Sequence, residues 1–134
     1  LKTLYKNWIV GAVLKMTKCV PVNGATHEAL AALGAGKVMG IFPEGVRTYD
    51  GQLLKEGKKG AAILAMLSGT SVLPAGIKGA FEAYPRTALF PRPYPVRITF
   101  GRPLVFQKHL HERIEPQLLE ESADRIMSAI NGLL

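Results

Sequence analysis

Apolar residues recur with helical spacing in four parts of the chain. Leu4, Trp8 and Leu14 belong to the first of these patterns, in which the lysines stay on the polar side. In the second, Thr26 is a candidate N-cap and Gly34 a candidate end. The third is apolar on nearly every side, which is typical of a buried helix. The sequence therefore predicts helices at about residues 4–17, 26–34, 57–69 and 116–130.

Short apolar or alternating runs between these patterns predict four strands, at residues 19–22, 38–42, 71–77 and 96–100. Residues 84–95 contain four prolines, so this segment is predicted to be an irregular connection. Strands that alternate with helices indicate an α/β fold, with a central, mostly parallel sheet flanked by helices. We see neither a repeat nor a linker, and we expect residues 1–134 to form a single domain.

Charge narrows the range of partners. The net charge is +7, and residues 1–108 hold 15 Lys and Arg against 5 Asp and Glu. Such a surface is suited to phosphate, anionic lipid or nucleic acid, although it also serves solubility alone. No apolar run reaches the roughly 18–20 residues that a membrane-spanning helix needs. We therefore expect a soluble or peripherally attached domain, in which the first helix packs on the core or, through Trp8, lies in a lipid headgroup layer.

A compact group of functional residue types follows the predicted strand at residues 38–42. Ligands of open α/β sheets bind beyond the carboxyl ends of the strands, where this group stands. Gly45 permits a tight turn, and Arg47 offers planar donors that match a phosphate or carboxylate. Glu44 either orients Arg47 or accepts a substrate hydroxyl. The alternative is a structural Glu44–Arg47 ion pair that closes a turn, and spacing does not decide between them.

The sequence IFPEGVRTYDG, with Lys58-Lys59-Gly60 and Val72-Leu73-Pro74 after it, resembles the glycerolipid acyltransferase family typified by 1-acylglycerol-3-phosphate acyltransferase. The likeness extends more loosely from about residue 5 to residue 104. It implies transfer of a fatty acyl group from acyl-CoA or acyl-carrier protein to a lysophospholipid or glycerophosphate acceptor, in phospholipid biosynthesis. It further implies a peripheral position at the cytoplasmic face of an anionic membrane surface, with no metal and no bound redox cofactor.

The resemblance also assigns site residues. In the family, the Glu and Arg of this motif hold the glycerophosphate of the acceptor. Arg47 and Thr48 would accordingly bind phosphate oxygens, and Glu44 would orient the site. The predicted substrate-binding residues are Phe42, Pro43, Glu44, Gly45, Arg47, Thr48, Lys58 and Lys59.

Two family features are missing from this sequence. The family takes its general base from the His of H-x-x-x-x-D, but here His27, His109 and His111 are followed five residues later by Ala, Ile and Pro. The simplest interpretation is an N-terminally truncated piece whose His motif lies upstream and which is inactive alone. A degenerate, non-catalytic relative is the alternative. The family's second phosphate-binding Arg is replaced by Asn23-Gly24, which predicts weaker phosphate binding.

Two other function classes compete with the enzyme. A non-catalytic lipid- or phosphate-binding domain follows if no His motif exists in the whole protein. A nucleic-acid-binding module is suggested by the arginines and aromatic residues that alternate through residues 84–97, because aromatic rings stack on bases. The prolines there favour a connection instead, so nucleic acid is not the expected partner. His109 and His111 lack further ligands nearby in sequence, so no metal site is predicted.

Overall fold

The computed structural model describes residues 26–109 and 114–134. In this part of the chain the elements are α1 (Thr26–Gly34), α2 (Gly60–Ser68), β1 (Ala75–Lys78), α3 (Ala80–Ala83), β2 (Arg97–Phe100) and α4 (Pro116–Asn131). The chain divides into two compact units, Leu1–Met39 and Gly40–Leu134. The predicted helix at residues 4–17 and the predicted strand at residues 19–22 lie outside the described residues.

The first unit contains α1, which confirms the helix predicted at residues 26–34. Ala29 is its buried residue, while Leu30 and Leu33 are half-buried. Beyond the helix, the amide of Gly36 donates to the carbonyl of Leu33 at 3.0 Å, and Gly36 adopts a φ of +73°. This left-handed residue ends the helical run, as glycine commonly does just past a helix.

The core of the second unit lies between α2 and α4. Both helices were predicted, and α2 is the buried helix of the 57–69 pattern. Gly69 ends α2 in the left-handed conformation, with its amide donating to the carbonyl of Ala65 at 2.8 Å. The buried cluster consists of Ala62, Ala65, Met66, Phe106, Ile126 and Ile130. Each large aliphatic side chain buried in this way contributes roughly 1.5–3 kcal/mol to stability.

The sheet of the described residues has two antiparallel strands. β1 pairs with β2 from Ala75↔Phe100 to Lys78↔Arg97, and an isolated bridge joins Val72 to Leu104. The strand predicted at residues 71–77 is therefore shorter and begins later. Pro74 accounts for the interruption because it has no N–H to donate to a neighbouring strand. β2 confirms the strand predicted at residues 96–100, but all of its residues are exposed, although an alternating run predicts one buried face.

The strand predicted at residues 38–42 is not formed. Val38 is 100% exposed and Phe42 is 75% exposed, and neither β1 nor β2 pairs with this segment. A strand needs a hydrogen-bonded neighbour, and the apolar run has none within the described residues. A mostly parallel sheet is therefore not confirmed. Residues 84–95 are irregular as predicted, but the short helix α3 just before them was not predicted.

Within residues 26–109 and 114–134, every helix is too short or too polar to traverse a lipid bilayer.

Candidate functional site

The Phe42-Pro43-Glu44-Gly45 segment forms a tight turn that is joined to the start of α2. The amide of Gly45 donates to the carbonyl of Phe42 at 3.1 Å, and the amide of Lys58 donates to the carbonyl of Pro43 at 2.6 Å. Gly45 has a φ of +69°, and a Cβ added to it would lie 3.0 Å from Cγ of Lys58. The F-P-E-G and K-K-G motifs thus form one unit, which requires glycine at position 45 because of both its backbone conformation and its contact.

Glu44 connects this turn to the following loop. Its Oε2 accepts a hydrogen bond from the amide of Leu54 at 3.0 Å. Glu44 and Arg47 form no ion pair in the described part of the chain, where the one salt bridge joins Lys59 to Glu120. The alternative that Glu44 and Arg47 close the turn as a structural pair is therefore wrong. The turn is closed by backbone bonds, and among the residues that the structure describes no carboxylate forms a salt bridge with the Arg47 guanidinium.

Two arginines connect this loop to the segment after α3 through reciprocal contacts. The guanidinium of Arg47 donates to the carbonyl of Tyr84 and lies over the Tyr84 ring, 4.8 Å from its centroid. In the opposite direction, the guanidinium of Arg86 donates to the carbonyl of Arg47 at 3.3 Å and lies 4.3 Å from the centroid of the Tyr49 ring. Cation–π contacts of this kind contribute about 0.5–1 kcal/mol at exposed sites. Together these contacts hold two stretches of chain, about 40 residues apart, against each other.

Gly51 provides another point of close approach between the same two stretches. Its φ is +76°, and a Cβ at this position would lie 2.7 Å from Cγ of Phe81 in α3. Any side chain at residue 51 would push α3 away from the loop. The loop at residues 43–51 is therefore positioned against residues 80–86 by packing as well as by hydrogen bonds.

These contacts border an open cavity of about 460 Å³, lined by Val46, Arg47, Thr48, Tyr49, Asp50, Leu54 and Arg86. Its charged lining consists of two guanidinium groups and one carboxylate. That carboxylate, on Asp50, already accepts a hydrogen bond from the amide of Gln52 at 3.0 Å. Most of the lining surface is apolar, and its charged side chains sum to +1. The planar N–H donors of the arginines and the Thr48 hydroxyl are the groups of this lining that suit a phosphate-sized anion.

The structure separates the predicted site residues into three groups. Arg47 and Thr48 line the cavity. Pro43, Glu44, Gly45 and Lys58 build the adjacent turn. Two side chains contribute to neither the cavity nor the turn. Phe42 supplies only its carbonyl to the turn while its side chain faces solvent, and Nζ of Lys59 lies 3.4 Å from Oε2 of Glu120 in α4.

The sequence also contained a signal for residues that were not predicted as part of the site. Arg86, Tyr49 and Tyr84 were not among the predicted binding residues, yet Tyr49 and Arg86 line the cavity and Tyr84 contacts Arg47. The alternation of aromatic residues with arginines through residues 84–97 suggested base stacking only as an alternative, which the prolines of this segment disfavoured. In the structure, the ring of Tyr84 and the guanidinium of Arg86 instead contact Arg47 and Tyr49 of the loop.

Known proteins that are similar to this chain indicate its family. The model of the family described as Acyltransferase matches residues 2–78. A 1-acyl-sn-glycerol-3-phosphate acyltransferase from Bacillus subtilis (strain 168) is 30% identical over 84 residues, covering 58% of this chain and 41% of that protein. The crystal structure of the 1-acyl-sn-glycerophosphate (LPA) acyltransferase PlsC from Thermotoga maritima superposes with a TM-score of 0.59 at 28% identity, covering 81% of this chain and 44% of that one. This chain spans less than half the length of each of these two proteins.

Proposed function

Because the chain belongs to the acyltransferase family, as the match over residues 2–78 shows, we propose that its protein transfers a fatty acyl group to a lysophospholipid or glycerophosphate acceptor. The observation that carries this proposal is the cavity beside the F-P-E-G turn, where Arg47, Thr48 and Arg86 face one space of about 460 Å³. The donor is a fatty acyl thioester, either acyl-CoA or an acyl-carrier protein.

In this reaction, the acceptor hydroxyl oxygen bonds to the thioester carbonyl carbon. The carbon–sulfur bond breaks, an ester forms, and the hydroxyl proton leaves with the thiol. The part that we assign to this chain is to bind the acceptor phosphate and so to fix the position of the hydroxyl. Holding reactants in a reactive geometry removes much of the entropic barrier.

The general base is not assigned to any residue of this chain. None of its histidines is followed five residues later by Asp. We therefore expect the 134-residue chain by itself to bind acceptor without acylating it, because a general base typically contributes about 10²–10⁴-fold to rate. Such behaviour would also suit the second candidate function, a non-catalytic phosphate-binding domain. Acyl transfer by the full-length protein separates the two.

We further propose that the protein meets its lipid acceptor at the cytoplasmic, anionic face of a membrane. The support is the charge of residues 1–108, with 15 Lys and Arg against 5 Asp and Glu. Cosedimentation should then be stronger with vesicles that contain phosphatidylserine than with phosphatidylcholine vesicles, and it should weaken as salt is added. Equal cosedimentation with both kinds of vesicle would rule out the electrostatic part of this proposal.

The experiment that tests the proposed function is a steady-state assay of the full-length protein with Arg47→Lys, in which acceptor and donor are varied separately. Lysine keeps the charge but loses the planar donors, so we expect acceptor kcat/KM to fall about ten- to a hundredfold while the donor KM changes little. Arg102→Lys is the control, because Arg102 is exposed and does not line the cavity. An equal loss of kcat/KM for acceptor and donor, with a lowered Tm and an unchanged acceptor KM, would show that Arg47 has a structural role instead.

A further inference from the structure

We propose that Arg86 is a second phosphate ligand of this site, and that the pair Arg47 and Arg86 selects a phosphate monoester over a phosphodiester. The choice of a glycerophosphate as the ligand rests on the proposed function. The observation is the placement of Arg86 in the cavity that Arg47 and Thr48 line, although it comes from a different stretch of chain. It lies on the irregular connection after α3, 39 residues beyond Arg47.

The contacts of Arg86 orient its guanidinium and leave most of its donors available. Its Nη1 donates to the carbonyl of Arg47 at 3.3 Å, and one face of the group lies over Tyr49 at 4.3 Å. A guanidinium carries five N–H donors in one plane, and this arrangement uses one of them. The Tyr49 ring and the Arg47 carbonyl restrict the side chain to the cavity wall, so less conformational entropy is lost when it binds a ligand.

The donors of the cavity favour a phosphate group with three free oxygens. Arg47 and Arg86 line the space together with Asp50, whose carboxylate accepts the Gln52 amide and keeps its negative charge. Within residues 26–109 and 114–134, neither arginine forms a salt bridge with a carboxylate. A phosphate monoester carries a charge of about −1.5 to −2 at pH 7 on three free oxygens, so it accepts more charge-assisted hydrogen bonds from two guanidinium groups than a diester does. A phosphodiester carries one negative charge and has one oxygen fewer to accept hydrogen bonds.

Arg47 and Arg86 together also explain why the loop at residues 43–51 is fixed to residues 80–86. If each arginine only held the two stretches together, a loss of Arg86 would lower stability without changing affinity for phosphate. If Arg86 is a ligand, its loss should reduce affinity for a monoester more than for a diester. Ligand selectivity is a readout that a purely structural residue would not change.

The test is isothermal titration calorimetry of the full-length protein with two soluble probes, glycerol 3-phosphate as the monoester and glycerophosphoglycerol as the diester. The variants are Arg86→Gln and Arg86→Lys. Arg92→Gln is the matched control, since Arg92 lies on the same connection and is exposed but does not line the cavity. We expect Arg86→Gln to raise the Kd for glycerol 3-phosphate about ten- to a hundredfold, with a smaller rise for Arg86→Lys. The Kd for the diester should change less than about threefold, and Arg92→Gln should behave like the wild type.

The outcomes separate this inference from the proposed function. An absence of monoester binding in the wild type, an unchanged Kd in Arg86→Gln, or an equal loss for both probes would overturn the role of Arg86. Arg86-dependent monoester binding in a full-length protein that transfers no acyl group would uphold the inference and reject the proposed function. Acyl transfer with an acceptor KM that Arg86→Gln leaves unchanged would uphold the proposed function and reject the role of Arg86.

Discussion

The α2–α4 core and the loops around Arg47 are two regions of the same compact unit that are held together by different forces. In the core, Ala62, Met66 and Ile126 are almost completely buried, and their contacts are apolar. In the loops, the side chains of Arg47 and Arg86 are exposed, and single hydrogen bonds and cation–π contacts connect residues 43–54 with residues 81–86. The core depends on the amount of buried surface, whereas the loops depend on the direction of a few contacts.

This difference teaches which changes each region tolerates. Apolar burial is non-directional, so a core position accepts another apolar side chain of similar volume. Glu44, which accepts a hydrogen bond from the Leu54 amide, and Gly45, which contacts Lys58, tolerate almost no other residue. Each of these contacts contributes less to stability than a buried core side chain does. Core changes should therefore affect unfolding most, and loop changes should affect ligand binding most.

Ile126→Ala is expected to have the largest effect on stability. Ile126 is 2% exposed, and truncating a buried isoleucine costs about 2–5 kcal/mol. Denaturant titration should show this loss, while glycerol 3-phosphate affinity of the folded protein stays the same. Leu89→Ala is the control, because Leu89 is 83% exposed and should change stability by less than about 0.5 kcal/mol. A loss of ligand affinity in Ile126→Ala would show that core and loops are not independent.

Gly45→Ala is expected to come next and to affect both regions. A non-glycine residue in the left-handed region costs about 1–2 kcal/mol, and here the Lys58 side chain must also move. Gly36→Ala separates the two contributions, because Gly36 has a φ of +73° but no atom within 4 Å of an added Cβ. Both variants should lose stability, and only Gly45→Ala should also lose affinity for glycerol 3-phosphate. If calorimetry gave Gly45→Ala and Gly36→Ala the same Kd for glycerol 3-phosphate, the Lys58 contact would not position the site.

Glu44→Gln should have a smaller and more local effect. The amide of Leu54 donates to a carboxylate at 3.0 Å, and a neutral amide oxygen is a weaker acceptor by about 1 kcal/mol. Hydrogen exchange should then be faster at the Leu54 amide by up to about tenfold, with little change at the Met66 amide in the core. If the Leu54 amide exchanged at the same rate in Glu44→Gln as in the wild type, Glu44 would not hold the loop.

The Lys59–Glu120 pair should have the smallest effect. Its Nζ–Oε2 distance is 3.4 Å, but the two side chains are 44% and 66% exposed. Exposed ion pairs contribute about 0.2–1 kcal/mol in double-mutant cycles. We expect a coupling energy in that range from thermal unfolding of Lys59→Ala, Glu120→Ala and the double variant. A coupling well above 1 kcal/mol would make this pair part of the core rather than a surface contact.

The sequence predicted the two regions unequally, for physical reasons. The α2 and α4 helices follow from local periodicity, so both were predicted, although α2 begins three residues later than the predicted segment. The apolar run at residues 38–42 looked like a strand, but a strand depends on a hydrogen-bonded neighbour that local sequence does not reveal. Arg86 was not assigned to the site, because its contacts with Arg47 and Tyr49 join residues far apart in the chain. The motif containing Arg47 was recognised by resemblance, whereas its partners became visible only in the fold.

The central claim is that the loops around Arg47 bind the acceptor phosphate, and arginine side-chain NMR tests it most directly. The full-length protein, labelled with ¹⁵N-arginine, is titrated with glycerol 3-phosphate. Guanidinium resonances of Arg47 and Arg86 should shift and saturate together, while those of Arg92, Arg97 and Arg102, which do not line the cavity, should stay in place. Shifts spread evenly over these five named arginines, or no shift at Arg47 at saturating ligand, would contradict the account.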